Sequence, residues 1–339
     1  MKLRLIDYLS CPRCGGSFQG RADREEGNEI VDGTLSCLQC GDSYPVVRSI
    51  PRVLPPEMSD LVKNTADTFG WEWTEFRELH SSWEMYERQF LDWVWPIEPN
   101  FFKDKVVLDA GCGMGRFAAV AAGFGAKEVV GVDLSRAVES AQRYSREITT
   151  LHVVQGDLHS LPFGEVFDFI FSIGVLHHLP DPKAGFMALT KYLKPGGSIF
   201  AWVYGEENNG WILQVANPVR EHVLSRLPHS LLYWLSLAAT LVLHPLLKLV
   251  YKPVNTTLRP LARFLPYNGY LLWLSQFGFR HNHHVLFDHM GAPVAFYISR
   301  EEFESWFREA GLEDVVISWR NQNSWRGWGR HKSRAIVGS

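Results

Sequence analysis

The sequence predicts an α/β fold built on a parallel β-sheet with helices on both faces. Apolar runs alternate with helical patterns through the middle of the chain, which is the order that produces such a sheet. The first of these runs ends at an acid and leads into glycines at alternate positions, as a strand that turns tightly into a helix does. With 339 residues, of which 46% are hydrophobic, the chain has room for this core and for further modules.

Strands and helices follow one another in the predicted core. Strands are expected at 106–109, 129–133, 151–155, 167–172 and 198–204, and helices near 115–122, 135–147 and 183–192. After a long insertion, Ser299 caps an amphipathic helix that ends at Gly311, with Glu302 three residues after the cap. Two closing strands are expected at 314–319 and 334–337.

The glycine-rich turn after the first strand predicts a ligand that contains a nucleoside. Gly111, Gly113 and Gly115 allow a positive φ and a close approach of the backbone. Their spacing is G-x-G-x-G, not the G-x-G-x-x-G of dinucleotide sites, and Asp109 can receive a cationic amino group but would repel a pyrophosphate. Asp133 ends the second strand, where a ribose diol binds. These features favour S-adenosylmethionine over NAD; the alternative is a strand–helix turn that binds nothing.

Four of the five cysteines form two C-x-x-C pairs, Cys11 with Cys14 and Cys37 with Cys40. Two such pairs complete a four-sulfur zinc site with no open position, so the metal is expected to be structural. The intervening loop is slightly longer than is usual for a zinc ribbon, and a redox pair or unpaired surface thiols are the alternatives. Metal-binding thiols and the lack of a continuous apolar N-terminal segment lead us to expect a cytoplasmic protein without a signal peptide.

The segments around these cysteines carry a family resemblance. They read LIDYLSCPRCG at 5–15 and CLQCGDSYPV at 37–46, followed by Ile-Pro at 50–51 and Leu-Pro at 54–55. This pattern resembles a zinc-ribbon family of small proteins that partner methyltransferases, a module also found fused ahead of methyltransferase domains. Arg48-Ser49 stands where that family often has Asp-Gly, which costs a tight turn and no metal ligand.

Five further motifs follow in order through the core. Besides the glycine turn they are GDL at 156–158, LPF at 161–163, FD at 167–168, GVLHHLPDP at 174–182 and LKPGG at 193–197. Together they resemble the class I S-adenosylmethionine-dependent methyltransferases, type 11-like, which implies a Rossmann-like sheet of seven strands with the last strand antiparallel. The expected domains are a zinc ribbon (1–56), a helical lead-in that covers the cofactor (57–100), the methyltransferase core (101–205 and 296–339) and a mainly helical cap insertion (206–295).

The resemblance also implies a set of site residues. The methionine part of the cofactor is assigned to Asp109 and the turn at 111–113, and Asp133 takes the ribose hydroxyls. The adenine is assigned to Leu134 and Asp157, although Asp157 could instead cap a helix. The full predicted cofactor set is Asp109, Gly111, Cys112, Gly113, Asp133, Leu134, Asp157, Leu158 and Ser172. His177, after the fourth strand, is the preferred proton acceptor over His178; the alternative is a histidine that only bonds the loop.

The insertion has the least ordinary composition. Residues 231–243 carry no charge, His244-Pro245 is expected to interrupt the apolar run, and Lys248 and Lys252 follow. We interpret this part as a helical cap that is either a lid or a peripheral membrane contact through 230–251. His281, His283, His284 and His289 form a cluster that is either a polar pocket rim or a metal site.

Near the C-terminus, aromatic residues and cations alternate at Trp319-Arg320, Trp325-Arg326 and 328–330. Such residues could stack on a base or hold an anion, but we expect a loop between the last two strands with its arginines in water.

The expected activity is methyl transfer from S-adenosylmethionine to a small-molecule or lipid- or sugar-linked acceptor. The net charge of −3 and the lack of a basic run argue against a nucleic-acid partner. The alternatives are an RNA methyltransferase that uses the zinc ribbon to hold its substrate, and a non-catalytic scaffold. The sequence leaves open the oligomeric state and whether the cytoplasmic protein associates with a membrane.

Overall fold

One mixed β-sheet organises the molecule. The computed structural model describes residues 1–79 and 82–333. Within them the strands are β1 (Phe18–Glu26), β2 (Glu29–Cys37), β3 (Ser43–Val47), β4 (Ile50–Val53), β5 (Val106–Ala110), β6 (Glu128–Asp133), β7 (Leu151–Gly156), β8 (Phe167–Ile173), β9 (Leu193–Tyr204), β10 (Glu313–Arg320) and β11 (Ser324–Arg330). Their order across the sheet is β1-β2-β3-β4-β7-β6-β5-β8-β9-β11-β10.

The last seven strands in that order, from β7 to β10, form the predicted seven-stranded core. Strands β5 to β9 are mutually parallel and consist of continuous buried apolar runs, as strands covered on both faces do. Strand β11 pairs antiparallel with β9, in the register Ser324↔Tyr204. The Rossmann-like fold and its antiparallel last strand are therefore confirmed, and the sheet is extended beyond seven strands by the N-terminal segment.

Helices pack on both faces of the sheet. They are α1 (Asp60–Glu75), α2 (Trp83–Val94), α3 (Arg116–Gly123), α4 (Val138–Glu147), α5 (Pro182–Thr190), α6 (Asn217–His222), α7 (His229–Leu246), α8 (Lys252–Thr257), α9 (Arg259–Ala262), α10 (Asn268–Leu274), α11 (Phe279–Gly291) and α12 (Arg300–Glu309). Side-chain caps fix three starts among the described helices: Ser59 accepts from the amide of Val62 at 3.3 Å, Asp181 from that of Ala184 at 2.8 Å, and Ser299 from that of Glu302 at 3.2 Å.

The N-terminal ribbon is continuous with the core. The β1–β2 hairpin occupies the stretch between the two cysteine pairs, which accounts for their long spacing. Strand β4 pairs parallel with β7, so the ribbon adds its strands to the edge of the core sheet. Lys2 Nζ donates to the carbonyl oxygens of Ile148 and Leu151 at 2.8 and 2.6 Å and ties the two parts together.

The C-terminal strands differ from the prediction. The predicted strand at 334–337 lies outside the described residues, and the Trp–Arg segment expected as a loop forms the ends of β10 and all of β11. A side chain at Gly327 or Gly329 would collide with the ring of Phe307 on α12. The two glycines therefore allow this ring to pack against the sheet surface.

The insertion is mainly helical, from α6 to α11, as predicted. Pro245 does not interrupt it: α7 continues through a π-helical segment, Leu247–Tyr251, into α8. The missing amide of proline removes one helical hydrogen bond, and the wider turn that follows accommodates this loss. By length and composition this stretch, His229–Thr257, could cross a membrane, and 22% of its most apolar window is buried.

Candidate active site

A large cavity opens at the carboxyl ends of the parallel strands, which is where ligands bind in open α/β sheets. The ends of β6, β7 and β8 form its floor, α1 lies on one side, and α10 and α11 close the other. Of the predicted cofactor set, Gly111, Asp133, Leu134, Asp157 and Leu158 line the cavity.

The glycine turn is held against the second strand by its own backbone. The amides of Gly111 and Cys112 donate to the carbonyl of Val132 at 2.8 and 2.9 Å. All three glycines have positive φ, and a Cβ at Gly113 would lie 2.8 Å from Nε1 of Trp73 on α1. Glycine is therefore required here by the backbone conformation and by the aromatic side chain packed over the turn.

Asp133 organises the turn as a hydrogen-bond acceptor. Its Oδ2 accepts from the amide of Gly113 at 2.8 Å, and Oδ1 accepts from the amide and hydroxyl of Ser135 at 2.8 and 2.6 Å. Burial raises the pKa of Asp133 above its ordinary value of 3.8, although these hydrogen bonds oppose the shift.

Asp109 is buried at the end of β5. Its Oδ2 has no hydrogen-bond partner within the described ranges 1–79 and 82–333. Burial raises its pKa well above the ordinary value, and the charge of Asp133 adds to this shift. A buried carboxylate with an unused acceptor fits a cationic ligand, which would compensate its charge.

Asp157, predicted to lie beside the adenine, follows the end of β7. Asp157 Oδ1 accepts from the backbone amide and Nδ1 of His159 at 2.9 and 3.0 Å. Burial raises the pKa of Asp157, but the hydrogen bonds from His159 outweigh it, so the net shift is downward. Residues 158–166 contain no helix, so Asp157 does not cap one.

Ser172 and Cys112, like Asp109 and Gly113, are not among the residues that line the cavity. Ser172 is fully buried, and its hydroxyl donates to the carbonyl of Ala110 at 2.9 Å, which ties β8 to β5. The Cys112 side chain packs in a core cluster with residues that include Ile50 and Val153. Neither side chain lines the cavity, because both serve the contacts between strands and helices beneath it.

The two histidines after β8 have different surroundings, and the preferred one is not at the cavity. His177 is fully buried, with its ring 3.9 Å from that of Tyr204, and burial lowers its pKa well below 6.5. His178 lines the cavity, and its Nδ1 lies 2.5 Å from the carbonyl of Val294. A proton on Nδ1 makes that bond and leaves Nε2 as a base, so His178, rather than His177, is the histidine of this pair that meets the cavity.

The cavity continues past the glycine turn into an aromatic chamber. Its walls combine planar rings with a few polar groups: Trp93, Trp202, Tyr204, Tyr270, Trp273, His178, His281, Asp288, His289 and Arg320. The hydroxyl of Tyr204 donates to Asp288 Oδ2 at 3.2 Å, and that of Tyr270 lies 2.9 Å from His289 Nε2. Burial raises the pKa of both tyrosines and lowers that of His289, so all three stay neutral near pH 7.

Two arginines at the cavity were not predicted. Arg116 is buried under Trp73, with Nη1 lacking a hydrogen-bond partner in the described part of the chain. Arg320 lies between the rings of Trp93 and Trp273, at 4.4 and 4.7 Å from their centroids, and pairs with Asp92. Arg116 directly follows the glycine turn, which is a usable sequence signal. Arg320 was expected in water, in a loop between the last two strands, but it is buried at the end of β10.

The histidine cluster is divided by the geometry of α11. His281, His284 and His289 line the cavity, as expected of a pocket rim, and His284 Nε2 lies 2.7 Å from Glu72 on α1. His283 faces α7, where its Nε2 lies 3.0 Å from the hydroxyl of Ser236. Among the described residues, the one group arranged to hold a metal ion is the four N-terminal cysteines.

Those cysteines fit a structural zinc ion. Sγ of Cys11 lies 3.7 Å from that of Cys40, Sγ of Cys14 lies 3.5 Å from that of Cys37, and all four atoms are within 4.8 Å of one another. Tetrahedral zinc with bonds of about 2.3 Å requires a sulfur–sulfur separation of roughly 3.8 Å. The observed distances match this geometry.

Comparisons with known proteins agree with both modules. Residues 108–201 match the family described as "Methyltransferase domain", and residues 2–49 match "Trm112p-like protein". The ubiquinone biosynthesis O-methyltransferase of Idiomarina loihiensis is 30% identical over 175 residues, which cover 46% of this chain and 69% of that protein. The tRNA U34 carboxymethyltransferase of Shewanella loihica is 31% identical over 148 residues, which cover 37% and 45%. The chain spans about half the length of the tRNA-modifying relatives that it matches.

Two solved structures are similar at lower identity. A complex of the Haloferax volcanii Trm112 methyltransferase activator with a methyltransferase has a TM-score of 0.43 at 17% identity, covering 78% of this chain and 98% of that one. Magnesium protoporphyrin IX methyltransferase from Synechocystis with bound SAH has a TM-score of 0.44 at 14% identity, covering 80% and 97%.

These findings correct two expectations from the sequence. The expected small-molecule or lipid- or sugar-linked acceptor is wrong, and so is the argument against a nucleic-acid partner, because several relatives are named as tRNA-modifying enzymes. The error lies in the use of net charge, which averages over the whole chain and does not describe one site.

Proposed function

Because the chain belongs to the S-adenosylmethionine-dependent methyltransferases and carries a Trm112p-like zinc ribbon, we propose that it methylates an RNA. Transfer RNA is the class that the names of relatives support. The observation that carries the proposal in the structure is the aromatic chamber, which continues from the cofactor-binding end of the cavity. RNA-modifying proteins take single bases out of the stack and hold them between planar side chains.

We assign the cofactor to the end of the cavity that holds the glycine turn. Asp109 would bind the ammonium of the methionine part, and Arg116, whose Nη1 has no partner in the described residues, would bind its carboxylate. Asp133 would accept from the ribose hydroxyls, with Leu134 and Asp157 beside the adenine. α1 of the 57–100 segment supplies Trp73 over the turn, which supports the proposed role of that segment as a cover.

The acceptor base would enter the aromatic chamber, whose lining includes the rings of Trp202 and Trp273. The cofactor supplies a methyl group on a positively charged sulfur, so the leaving group needs no acid. The protein has to position the attacking atom in line with that bond and exclude water. Where the attacking atom carries a proton, His178 Nε2 would accept it, since Nδ1 is committed to Val294.

The location of the proposed reaction is the cytoplasm. Four thiols held at metal-binding distances require a reducing compartment, which supports this assignment.

In the test, purified protein is mixed with methyl-labelled S-adenosylmethionine and one of several acceptors. Bulk tRNA from cells that lack the protein, DNA of matched length and lipid vesicles are incubated in parallel, and nucleosides are then separated. We expect label in the tRNA nucleosides, and we expect ribonuclease treatment of the tRNA to remove it. Transfer of the label should be about 100-fold slower with His178→Gln. Label in none of the RNA fractions, with cofactor binding intact, would refute the RNA assignment.

A further inference from the structure

Helix α7 buries two polar residues on its inner side and exposes an apolar outer side. The residues that it buries are Leu232, Ser236 and Thr240, four apart and therefore on one face. Its exposed face consists of Leu231, Trp234, Leu235, Leu241, Val242 and Leu246, and Leu249 continues it beyond the helix end. Val242 and Leu249 are 74% and 75% exposed. A surface helix of a water-soluble domain has the opposite arrangement.

Specific polar contacts fix this orientation. The hydroxyl of Ser236 lies 3.0 Å from His283 Nε2 on α11, and Nδ1 of His244 lies 2.9 Å from the amide of Asn282. Nε2 of His229 lies 3.3 Å from the hydroxyl of Thr68 on α1. Rotating α7 to bury its leucines would break these hydrogen bonds, so the exposed apolar face follows from how the insertion is built.

The charge within this part of the chain has one sign. Between residues 222 and 287 there are six Lys or Arg and no Asp or Glu, although the whole chain has a net charge of −3. Lys252, Arg259 and Arg263 are exposed beside the apolar face. They alternate with further exposed apolar side chains, including Phe264, which is 70% exposed.

We propose that this surface, the outer face of 229–264, docks on an anionic lipid bilayer. Apolar side chains that enter the interface, flanked by cations with no anions among them, are what such a bilayer binds. Trp234, at 64% exposure, is of the type enriched at membrane interfaces. A second copy of the chain would bring the cations against one another, and an RNA would leave the aliphatic side chains in water.

The helix lies along the membrane and does not cross it. Its inner side remains packed on α1 and α11, and Lys248 Nζ donates to the carbonyls of Ser275 and Phe277 at 2.6 and 2.9 Å. The surface concerns where the enzyme is held and is independent of which acceptor it methylates.

Vesicle flotation of the full-length protein tests the proposal. Vesicles of phosphatidylcholine with 30% phosphatidylglycerol should bind it, pure phosphatidylcholine should bind it less, and salt should weaken the anionic binding. Val242→Glu and Leu249→Glu should each weaken binding about tenfold, since each removes a fully inserted aliphatic side chain. Val316→Glu, on the outer strand β10 at 43% exposure, is the matched control and should bind as the unaltered protein does.

Several outcomes would overturn the proposal. The first is that the protein floats with neither kind of vesicle, and the second is that Val242→Glu and Val316→Glu bind vesicles equally well. The third is that the unaltered protein binds no vesicles but self-associates or binds tRNA, and that Val242→Glu abolishes this interaction. Unchanged melting temperatures show that the variants fold, because both altered positions are exposed. Methylation of tRNA measured on the same variants separates this test from that of the proposed function.

Discussion

Replacing Asp133 with asparagine tests the cofactor site at its most connected residue. The carboxylate accepts hydrogen bonds at both oxygens, from Gly113 on one side and from Ser135 on the other. An asparagine can keep the oxygen toward Ser135, but its NH2 group then faces the amide of Gly113, donor against donor. The substitution therefore loses one hydrogen bond and the negative charge while the side-chain shape stays the same.

The size of the effect follows from these contacts. Leaving the buried amide of Gly113 without an acceptor costs about 1–3 kcal/mol of stability. Burial raises the pKa of Asp133, which means that its buried charge is itself destabilising. Removing that charge therefore offsets part of the stability lost at Gly113. For binding, loss of a charged acceptor of ribose hydroxyls is worth about 1.5–3 kcal/mol, or roughly a 10- to 150-fold weaker cofactor affinity.

Calorimetry with S-adenosylhomocysteine measures the affinity, and chemical denaturation measures the stability of the same samples. Asp157→Asn is the matched control: it also lines the cavity, but it is the assigned partner of the adenine amino group and does not touch the glycine turn. We expect Asp133→Asn to lose both stability and affinity, and Asp157→Asn to lose mainly affinity. An affinity for Asp133→Asn within twofold of the unaltered protein would refute the assignment.

Three further predictions concern other parts of the molecule. His178→Gln should lower kcat about 100-fold, whereas His177→Phe should keep activity. Burial lowers the pKa of His177 below 6.5, so as the pH falls the unfolded chain is protonated at this residue before the folded protein is. His177→Phe should therefore lose less stability between pH 7 and 5 than the unaltered protein, and equal losses of stability would contradict this. Ser49→Gly should raise the melting temperature by about 2 °C, because Ser49 has φ +64° and glycine relieves about 1 kcal/mol of strain there; a lower melting temperature would contradict this. Removal of zinc by a strong chelator should lower the melting temperature by several degrees and weaken S-adenosylhomocysteine binding, since β4 pairs with β7; unchanged binding would contradict the coupling.

The core could be predicted from the sequence because its signals are local. Buried parallel strands are continuous apolar runs, and each predicted strand from 106 to 204 lies within an observed one. The cysteine pairs and the glycine turn need particular residues at fixed spacing, so they too are visible in the chain. The turn at Arg48-Ser49 was also noticed, and both of its residues adopt positive φ.

What could not be predicted depends on packing between distant segments. His177 and His178 are neighbours in one short helical turn, and the contacts of one with Tyr204 and of the other with Val294 decide which meets the cavity. The Trp–Arg segment was expected as a loop, but its glycines lie in β11, where the ring of Phe307 packs over them. In both cases the deciding atom lies more than 15 residues away in the sequence.

The insertion shows why summed properties misled us most. Its leucines predicted either a lid or a membrane contact, and hydropathy alone is the same for both. The two cases differ in which side of the helix is buried. Ser236 and Thr240 are buried and hydrogen-bonded on the inner side, so the leucines of the opposite side are exposed, as the proposed contact with a lipid bilayer requires. Likewise the net charge of −3 conceals a stretch of 66 residues with cations and no anions. A surface can therefore be strongly basic and apolar in a chain whose averages suggest neither, and only the placement of these side chains on one face makes it a binding surface.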